Sequence, residues 1–344
     1  MAESRILEND RIRVEFAADG SITAIYDKEN DRSVLAPGSC ANRLAVYEDD
    51  GDAWDIPIGY ADRVPEFFQL SQSVHCTDGP KGWIKQTYTY GKSFLEQEIS
   101  LTHGSRRLDF VTRVDWRERR KMLRTAFTVN VRNTETTCEI QFGSIRRPNT
   151  RNTTWEMAKY EVCAHKWIDL SDEGYGVALL NDCKYGHKVY ENILDINLLR
   201  SPSYPDPEAD AGLHEFAYSL FPHQGNHLAG HVARAGYELN IPLNLLALAA
   251  TSGKLPNCYR LIEVTAENVI IETVKWAEDE PAMIIRLYES GGKATKTGVR
   301  IYAQICSIEL VDLMENRCDQ SKLVNGTELS FNAFEIHTLK VRFE

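Results

Sequence analysis

The feature that most constrains the fold of this chain is an alternation of apolar and polar residues with a period of two. One such segment places Phe110, Val114 and Trp116 on one face of an extended chain, opposite charged residues. This alternation is typical of antiparallel strands with one buried and one solvated face. The clearest examples are RIRVEF, LEQEISL, DFVTRVDW and LKVRFE.

Helical periodicity is scarce, and the best candidate for a helix is HVARAGYELN, residues 231–240. Strands of similar length follow one another without intervening helices, and turn-forming residues separate them. This pattern favours an all-β fold built from antiparallel sandwiches.

A domain boundary is predicted in ALAATSGKLPNC, Ala247–Cys258, which is rich in small and polar residues and contains Gly and Pro. We therefore predict one domain over residues 1–250 and a second, smaller sandwich over residues 251–344. In the second domain, VIIETVKWAEDEPAMIIRLYE predicts two strands joined by an acidic turn at Glu278–Pro281. A chain of 344 residues is long enough for such a division.

Charge and hydropathy argue against two classes of partner. The formal net charge of -11 repels phosphate backbones and anionic lipid, so binding of nucleic acid or of a membrane surface is disfavoured. No apolar run approaches the roughly 20 residues of a membrane span.

The N-terminal residues do not resemble a secretory signal, and the eight cysteines form no CxxC pair. These features predict a cytoplasmic protein with reduced thiols.

Catalytic motifs are not evident in the sequence. It contains no GxSxG elbow, no P-loop and no GxGxxG. His223, His227 and His231 are four residues apart, a spacing that would place zinc ligands on one face of a helix. Pro222 and Gly225 interrupt any helix there, which favours a solvated loop over a metal site.

A polar segment, NDCKYG, separates two apolar runs between Val177 and Pro202. Asn181 and Asp182 tolerate turn conformations, and Gly186 can adopt positive φ without steric cost. The residues alone therefore predict a turn between two strands. They do not decide whether this turn has a function.

Longer segments resemble the C-terminal half of the α-mannosidases of glycoside hydrolase family 38, and the cytosolic-type branch most closely. The most specific is the block around LLNDCKYG, and the matches follow one another in order over most of the chain. The resemblance implies a galactose-mutarotase-like supersandwich followed by a smaller C-terminal β-sandwich. The matching segments are RRPNTRNTTWEMAKYEVCAHKWIDLSDEGYGVALLNDCKYG, LLRSPSYPDPEADAGLHEFAYSLFPH, DAWDI, VDWRERRKMLRTAF and ETVKWAEDEPAMIIRLYE.

The resemblance also implies where the chemistry resides. In this family the zinc site, the nucleophilic aspartate and the acid/base carboxylate belong to an N-terminal α/β barrel and its neighbouring helices, and this chain is expected to begin downstream of them. No catalytic or metal-binding residue can therefore be assigned here, and no cofactor is expected in this chain. The implied partners are that catalytic barrel and a mannose-containing glycan. Self-association through an exposed apolar patch is a further expectation.

Three residues of the turn are the candidate substrate-binding residues. In the related enzymes this turn holds basic residues, one of which can lean toward the sugar-binding cleft. Lys184 occupies the matching position, and Asp182 is expected to orient it through a salt bridge. Tyr185 is the natural stacking partner for a sugar face.

The leading hypothesis is thus a non-catalytic region of an α-mannosidase that supports and completes an active site built elsewhere. A second hypothesis is an autonomous carbohydrate-binding module, which needs exposed aromatic side chains. A third is a mutarotase-type epimerase that uses His214 and Glu215. Adjacent residues of a strand point to opposite faces, which argues against that pair.

Overall fold

The computed structural model describes residues 5–247, 253 and 256–344. The chain divides into two compact units. The first comprises Met1–Glu139 and Arg146–Pro242, and the second comprises Ile140–Ile145 and Leu243–Glu344. The boundary predicted between residues 250 and 251 lies outside the described residues and stays a prediction.

The part of the chain that precedes the predicted boundary consists mainly of strands. It also contains a 3₁₀ helix, Ile58–Asp62, and the helices α1 (Thr154–Met157) and α2 (Val232–Asn240). Helix α2 confirms the one helix predicted from periodicity. The strands, in chain order, are β1 (Ile6–Glu8), β2 (Ile12–Phe16), β3 (Ile22–Asp27), β4 (Arg32–Ser33), β5 (Ala45–Glu48), β6 (Glu66–Phe67), β7 (Gln69–Asp78), β8 (Lys81–Tyr90), β9 (Ser93–Thr102), β10 (Leu108–Trp116), β11 (Lys121–Thr128), β12 (Glu135–Ile140), β13 (Gly143–Pro148), β14 (Val162–Cys163), β15 (Trp167–Ser171), β16 (Tyr175–Asn181), β17 (Gly186–Tyr190), β18 (Ile193–Arg200) and β19 (Gly212–Gln224).

These strands form three sheets. Strands β1 to β4 make a four-stranded sheet in sequence order. The largest sheet has the order β13-β12-β15-β16-β19-β10-β9-β8-β7, and a six-stranded sheet has the order β14-β17-β18-β11-β5-β6. The central pairings of both larger sheets, such as β10 with β19 and β11 with β18, are antiparallel.

The nine-stranded and six-stranded sheets share one hydrophobic core. Phe110 of β10 packs against Phe127 of β11 with 5.7 Å between ring centroids, and both side chains are fully buried. Val114 and Trp116, which the alternation places on the same face as Phe110, are also buried. The prediction of an all-β sandwich is therefore confirmed for this unit.

The second unit is a smaller sandwich. A three-stranded sheet in the order β20-β23-β26 and a five-stranded sheet in the order β21-β22-β27-β24-β25 contribute to one apolar cluster. The predicted pair of strands around the acidic turn is confirmed as β21 and β22. The strands are β20 (Ile262–Val264), β21 (Val269–Trp276), β22 (Met283–Glu289), β23 (Thr295–Ile301), β24 (Ile305–Val311), β25 (Arg317–Leu323), β26 (Glu328–Phe331) and β27 (Ile336–Phe343). Throughout the described ranges, no helix combines the length and apolar character needed to cross a membrane.

Candidate functional site

The turn that follows β16 is held by one buried asparagine. The side chain of Asn181 accepts a hydrogen bond from the backbone N–H of Lys184 at 2.7 Å and donates one to the carbonyl of His165 at 2.7 Å. Its own carbonyl accepts a hydrogen bond from Asn240 at the end of α2. The turn is therefore fixed at its base by contacts on both sides.

Asp182 does not orient Lys184, and this corrects the prediction of a salt bridge between them. Its carboxylate accepts a hydrogen bond from the backbone N–H of Ala217 on β19 at 2.9 Å, and its N–H donates to the carbonyl of Ala217. The Lys184 ammonium instead lies 4.5 Å from the ring centroid of Phe216, a cation–π arrangement. Asp182 thus attaches the turn to the neighbouring strand.

Lys184 and Tyr185 line a pocket of about 230 Å³. Lys184 is partly buried, whereas 45% of Tyr185 is exposed, and its ring lies 5.1 Å from that of His165. The pocket wall also includes Arg200 of β18. Two of the three predicted site residues, Lys184 and Tyr185, therefore line one pocket. The third, Asp182, attaches their turn to the neighbouring strand.

Arg200 connects this pocket to the DAWDI segment, Asp52–Ile56. Its guanidinium donates two hydrogen bonds to the buried carboxylate of Asp49, at 2.8 and 3.1 Å. It also donates to the carbonyls of Asp52 and Asp55, at 2.9 and 2.8 Å. Because the guanidinium is planar and rigid, four such bonds fix the loop relative to the pocket.

The DAWDI loop presents an aromatic pair. Trp54 and Tyr204 are 73% and 64% exposed, and their ring centroids are 5.9 Å apart. The backbone beneath them is ordered by hydrogen bonds: Asp52 accepts from the N–H of Trp54 at 2.9 Å, and the N–H of Ala53 donates to the carbonyl of Tyr204. At Gly51, a Cβ atom would lie 2.4 Å from the carbonyl of Asp55, so only glycine permits this close approach.

A second pocket, of about 390 Å³, is lined by Tyr204 and by several acidic residues of this loop. Asp50 pairs with Arg63 at 2.6 Å and with Arg120 at 3.0 Å. The hydrogen bond from Arg63 lowers the pKa of Asp50, so this carboxylate is ionised at neutral pH. It can accept hydrogen bonds from hydroxyl groups, but it is not suited to donate a proton.

Cys183 lies between the candidate residues. Partial burial, with a hydrogen bond to Asp182, raises the pKa of its thiol to about 11. The thiol is therefore protonated at neutral pH and is a poor nucleophile.

The histidines that the sequence singled out do not form a shared metal site in the part of the chain that the structure describes. His223 pairs with Asp169 at 2.7 Å, His227 stacks on Trp167, and His231 precedes α2. No group of three or more potential ligands in the described part of the chain is arranged to hold a metal ion.

His214 and Glu215, the pair proposed for epimerase chemistry, contact different partners. The His214 ring lies 2.8 Å from the carbonyl of Asp210, and Glu215 forms an ion pair with Arg113. Glu215 is exposed, whereas His214 lines the Lys184 pocket.

Sequence reasoning missed three residues of this surface: Trp54, Tyr204 and Arg200. The first two lie in quoted segments, DAWDI and SPSYPDPEAD, but exposure of an aromatic side chain cannot be inferred from its position in a loop. Arg200 ends the alternating segment ILDINLLR, and an arginine directly after two leucines signals a buried partner only weakly.

Comparison with known proteins identifies the family. The model for the glycosyl hydrolases family 38 C-terminal domain matches residues 7–208, and that for the family 38 C-terminal beta sandwich domain matches residues 268–339. The chain belongs to the family of glycosyl hydrolase family 38 C-terminal domains. The resemblance stated from the sequence is thereby confirmed.

Individual relatives agree with this assignment. The chain is 36% identical to alpha-mannosidase 2C1 of Homo sapiens, over 97% of this chain and 33% of that protein. It is 29% identical to alpha-mannosidase of Saccharomyces cerevisiae, over 98% of this chain and 35% of that protein. The chain thus spans about a third of the length of these curated relatives.

Among solved structures, the crystal structure of an alpha-mannosidase from Enterococcus faecalis V583 superimposes with a TM-score of 0.82. The superposition covers 99% of this chain and 42% of that chain, at 16% sequence identity. At this identity the similarity shows the fold, a supersandwich followed by a smaller sandwich.

Proposed function

We propose that this chain is the non-catalytic C-terminal region of an α-mannosidase, in which it supports a catalytic domain and completes one side of the sugar-binding cleft. The observation that carries this proposal is the convergence of two family-like segments, LLNDCKYG and DAWDI, on Arg200. A region with a purely structural role does not need exposed aromatic rings and a partly buried lysine on a surface that the hydrogen bonds of Arg200 hold in place.

In this proposal Lys184 provides the charged contact. Lys184 lines a 230 Å³ pocket, and its ammonium can donate hydrogen bonds to the hydroxyls of a sugar bound there. Tyr185, Trp54 and Tyr204 offer ring faces to the apolar face of a sugar. Asp182 acts indirectly in this proposal, because one of its carboxylate oxygens accepts the backbone N–H of Ala217 and so attaches the turn to β19.

The remaining elements of the proposal rest on the relatives. The partner is a catalytic barrel, the ligand is a mannose-containing glycan, and the location is the cytoplasm. Zinc belongs to the catalytic domain in this view. Self-association through the exposed aromatic surface is a further part of the proposal.

The test is Lys184→Met in an enzyme that contains this chain together with its catalytic domain. Methionine keeps an apolar side chain beside Phe216 but removes the charge and the cation–π contact, so the melting temperature should fall only slightly. We expect kcat/KM for an aryl α-mannoside to fall roughly 10- to 100-fold, the loss typical of one charged hydrogen bond. Lys296→Met, which removes an exposed lysine of the second unit, is the matched control.

Unchanged kinetics in the Lys184 variant, with a lower melting temperature, would assign a purely structural role to the turn. An equal loss of kcat/KM in both variants would point to an effect of net charge rather than to a substrate contact.

A second candidate function, an autonomous carbohydrate-binding module, is favoured by the exposed pair of Trp54 and Tyr204. It is tested by titrating this chain alone with mannose and mannobiose while tryptophan fluorescence is recorded. A module of this kind binds the sugar without a catalytic domain and loses binding in Trp54→Ala. It retains binding in Trp276→Ala, which removes an exposed tryptophan of the second unit.

A further inference from the structure

A basic pocket of about 360 Å³ lies in the first unit, beside helix α2. Its wall is formed by the turn between β9 and β10, by the end of β19 and by the first two turns of α2. The ionisable side chains that line it are Arg106, Arg107, His223, His231, Arg234 and Glu238. The proposed sugar-binding surface uses none of these residues.

We propose that this pocket binds a small phosphate monoester, with the phosphate held by Arg234, Arg107 and Arg106. The proposal does not depend on the proposed function in α-mannoside hydrolysis. It rests on three observations: guanidinium nitrogens that have no partner among the described residues, the rigid packing around His223, and the ionisable residues that line the pocket.

The two arginines of the β9–β10 turn are already oriented by carboxylates. Arg106 directs Nε and Nη2 to Glu29, and Arg107 directs Nε and Nη2 to Asp109. In each case the same edge of the guanidinium is used, so the Nη1 side is available for a ligand. Pairing of this kind lowers the entropic cost of binding, because the donors are already positioned.

Arg234 supplies the uncompensated charge. It is exposed on α2, and its guanidinium makes no ion pair or hydrogen bond with any residue that the structure describes. Arginine forms bidentate hydrogen bonds with phosphate oxygens, and Arg106, Arg107 and Arg234 line the same pocket. Three arginines and one carboxylate line this pocket in a chain whose net charge is -11, so the preponderance of arginine does not follow from general basicity.

The floor of the pocket is rigid. His223 is 1% exposed, and its Nε2 lies 2.7 Å from the carboxylate of Asp169, which also accepts a hydrogen bond from Ser171. The imidazole ring lies between two glycines: a Cβ atom on Gly176 or on Gly230 would come within 2.3 or 2.2 Å of a ring atom. The backbone is therefore built around this ring, which cannot move without a collision.

The size and charge of the pocket narrow the class of ligand. A volume of 360 Å³ is within the range of small-molecule sites and exceeds what a bare phosphate ion needs. Glu238 is the one carboxylate among the lining residues, and it would repel a second anionic group. It can accept a hydrogen bond from a hydroxyl. The best match is a phosphate monoester that carries hydroxyl groups.

The experiment is calorimetric titration of the 344-residue chain with glucose 6-phosphate, glucose and inorganic phosphate, in about 0.15 M chloride to screen weak contacts. We expect saturable binding of the ester, weaker binding of inorganic phosphate and no binding of glucose. Arg234→Gln should weaken the binding of the ester about 10-fold or more, the effect of one charged hydrogen bond. Ala229→Glu, which adds an anion at the exposed rim, should abolish it.

Arg260→Gln removes the same charge from an exposed arginine of the second unit and is expected to bind the ester as the unmodified chain does. Absence of saturable binding would overturn the proposal, as would an equal loss in the Arg234 and Arg260 variants. Inorganic phosphate that binds as tightly as the ester would overturn the assignment to a monoester. Both arginines are exposed, so the variants are expected to fold, and a melting curve of each checks this.

Discussion

His187 shows how a single residue can make the stability of this fold depend on pH. It lies on β17, is fully buried, and neither ring nitrogen makes a hydrogen bond within the described structure. Burial, together with the nearby Arg124, lowers the pKa of His187 to about 3, from 6.5 for an exposed histidine. The imidazole is therefore neutral in the folded protein under all mild conditions.

We predict that this histidine weakens the fold as the pH falls. Between pH about 6.5 and about 3 the unfolded chain binds a proton that the folded chain does not, so the free energy of unfolding decreases in that window. The decrease is roughly 1.4 kcal/mol per pH unit, or about 2 kcal/mol at pH 5.

The measurement is urea unfolding of the unmodified chain and of His187→Leu, at neutral pH and near pH 5. The variant should lose less stability than the unmodified chain over this interval, whatever its stability at neutral pH. Equal losses in the two proteins would show that His187 is not the group responsible.

The turn residues show what a local sequence pattern can and cannot reveal. Lys184 and Tyr185 line one pocket, and their binding of substrate stays a prediction. The salt bridge from Asp182 was wrong, because its carboxylate meets the N–H of Ala217 on a neighbouring strand. That strand is distant in sequence, so nothing in the local pattern reveals the competing donor.

At the scale of elements, alternation predicted the strands well because each needs only one buried face. Strand β10 is an example, with buried residues at every second position. Contacts between elements were harder to predict. The hydrogen bonds of Arg200 with the DAWDI loop join segments about 150 residues apart, and no local rule specifies which arginine will meet which carbonyl.

The segment from β16 to β17 provides a prediction at this scale. Asn181→Ala should lower the free energy of unfolding by about 1–3 kcal/mol, because the partly buried N–H of Lys184 and carbonyl of His165 lose the Asn181 side chain as partner. The same change should loosen the turn and reduce catalytic efficiency in an enzyme that contains this chain.

Tyr185→Phe is the matched control, since it alters an exposed side chain of the same turn without touching its base. Chemical unfolding gives the stability of both variants. If Asn181→Ala were as stable as Tyr185→Phe, the turn would be held by Asp182 and β19 rather than by Asn181.

At the scale of the whole molecule, the two-sandwich architecture followed from the sequence. The predicted boundary segment, Ala247–Cys258, lies mostly outside the described residues and stays a prediction. The assignment of residues 140–145, in the β12–β13 hairpin, to the second unit was not foreseen. A hairpin reveals its strands by alternation, but its sequence does not show which unit its turn joins.

The final prediction concerns activity. We expect the 344-residue chain on its own not to hydrolyse α-mannosides, with or without added zinc. Retaining hydrolysis needs a nucleophilic carboxylate and a protonated acid about 5–5.5 Å apart. Two acidic residues near Trp54 are not suited to the part of the protonated acid: Arg63 lowers the pKa of Asp50, and Arg200 binds the carboxylate of Asp49.

Incubation of concentrated protein with an aryl α-mannoside, with zinc and with a chelator, measures this. Positioning of reactive groups contributes up to roughly 7–11 kcal/mol to barrier lowering, so an incomplete set should give no turnover above a buffer blank. Turnover that persists through repurification and disappears in Asp50→Asn would overturn the assignment as non-catalytic. Loss of sugar binding in Trp54→Ala, in the absence of any turnover, would instead favour a binding module.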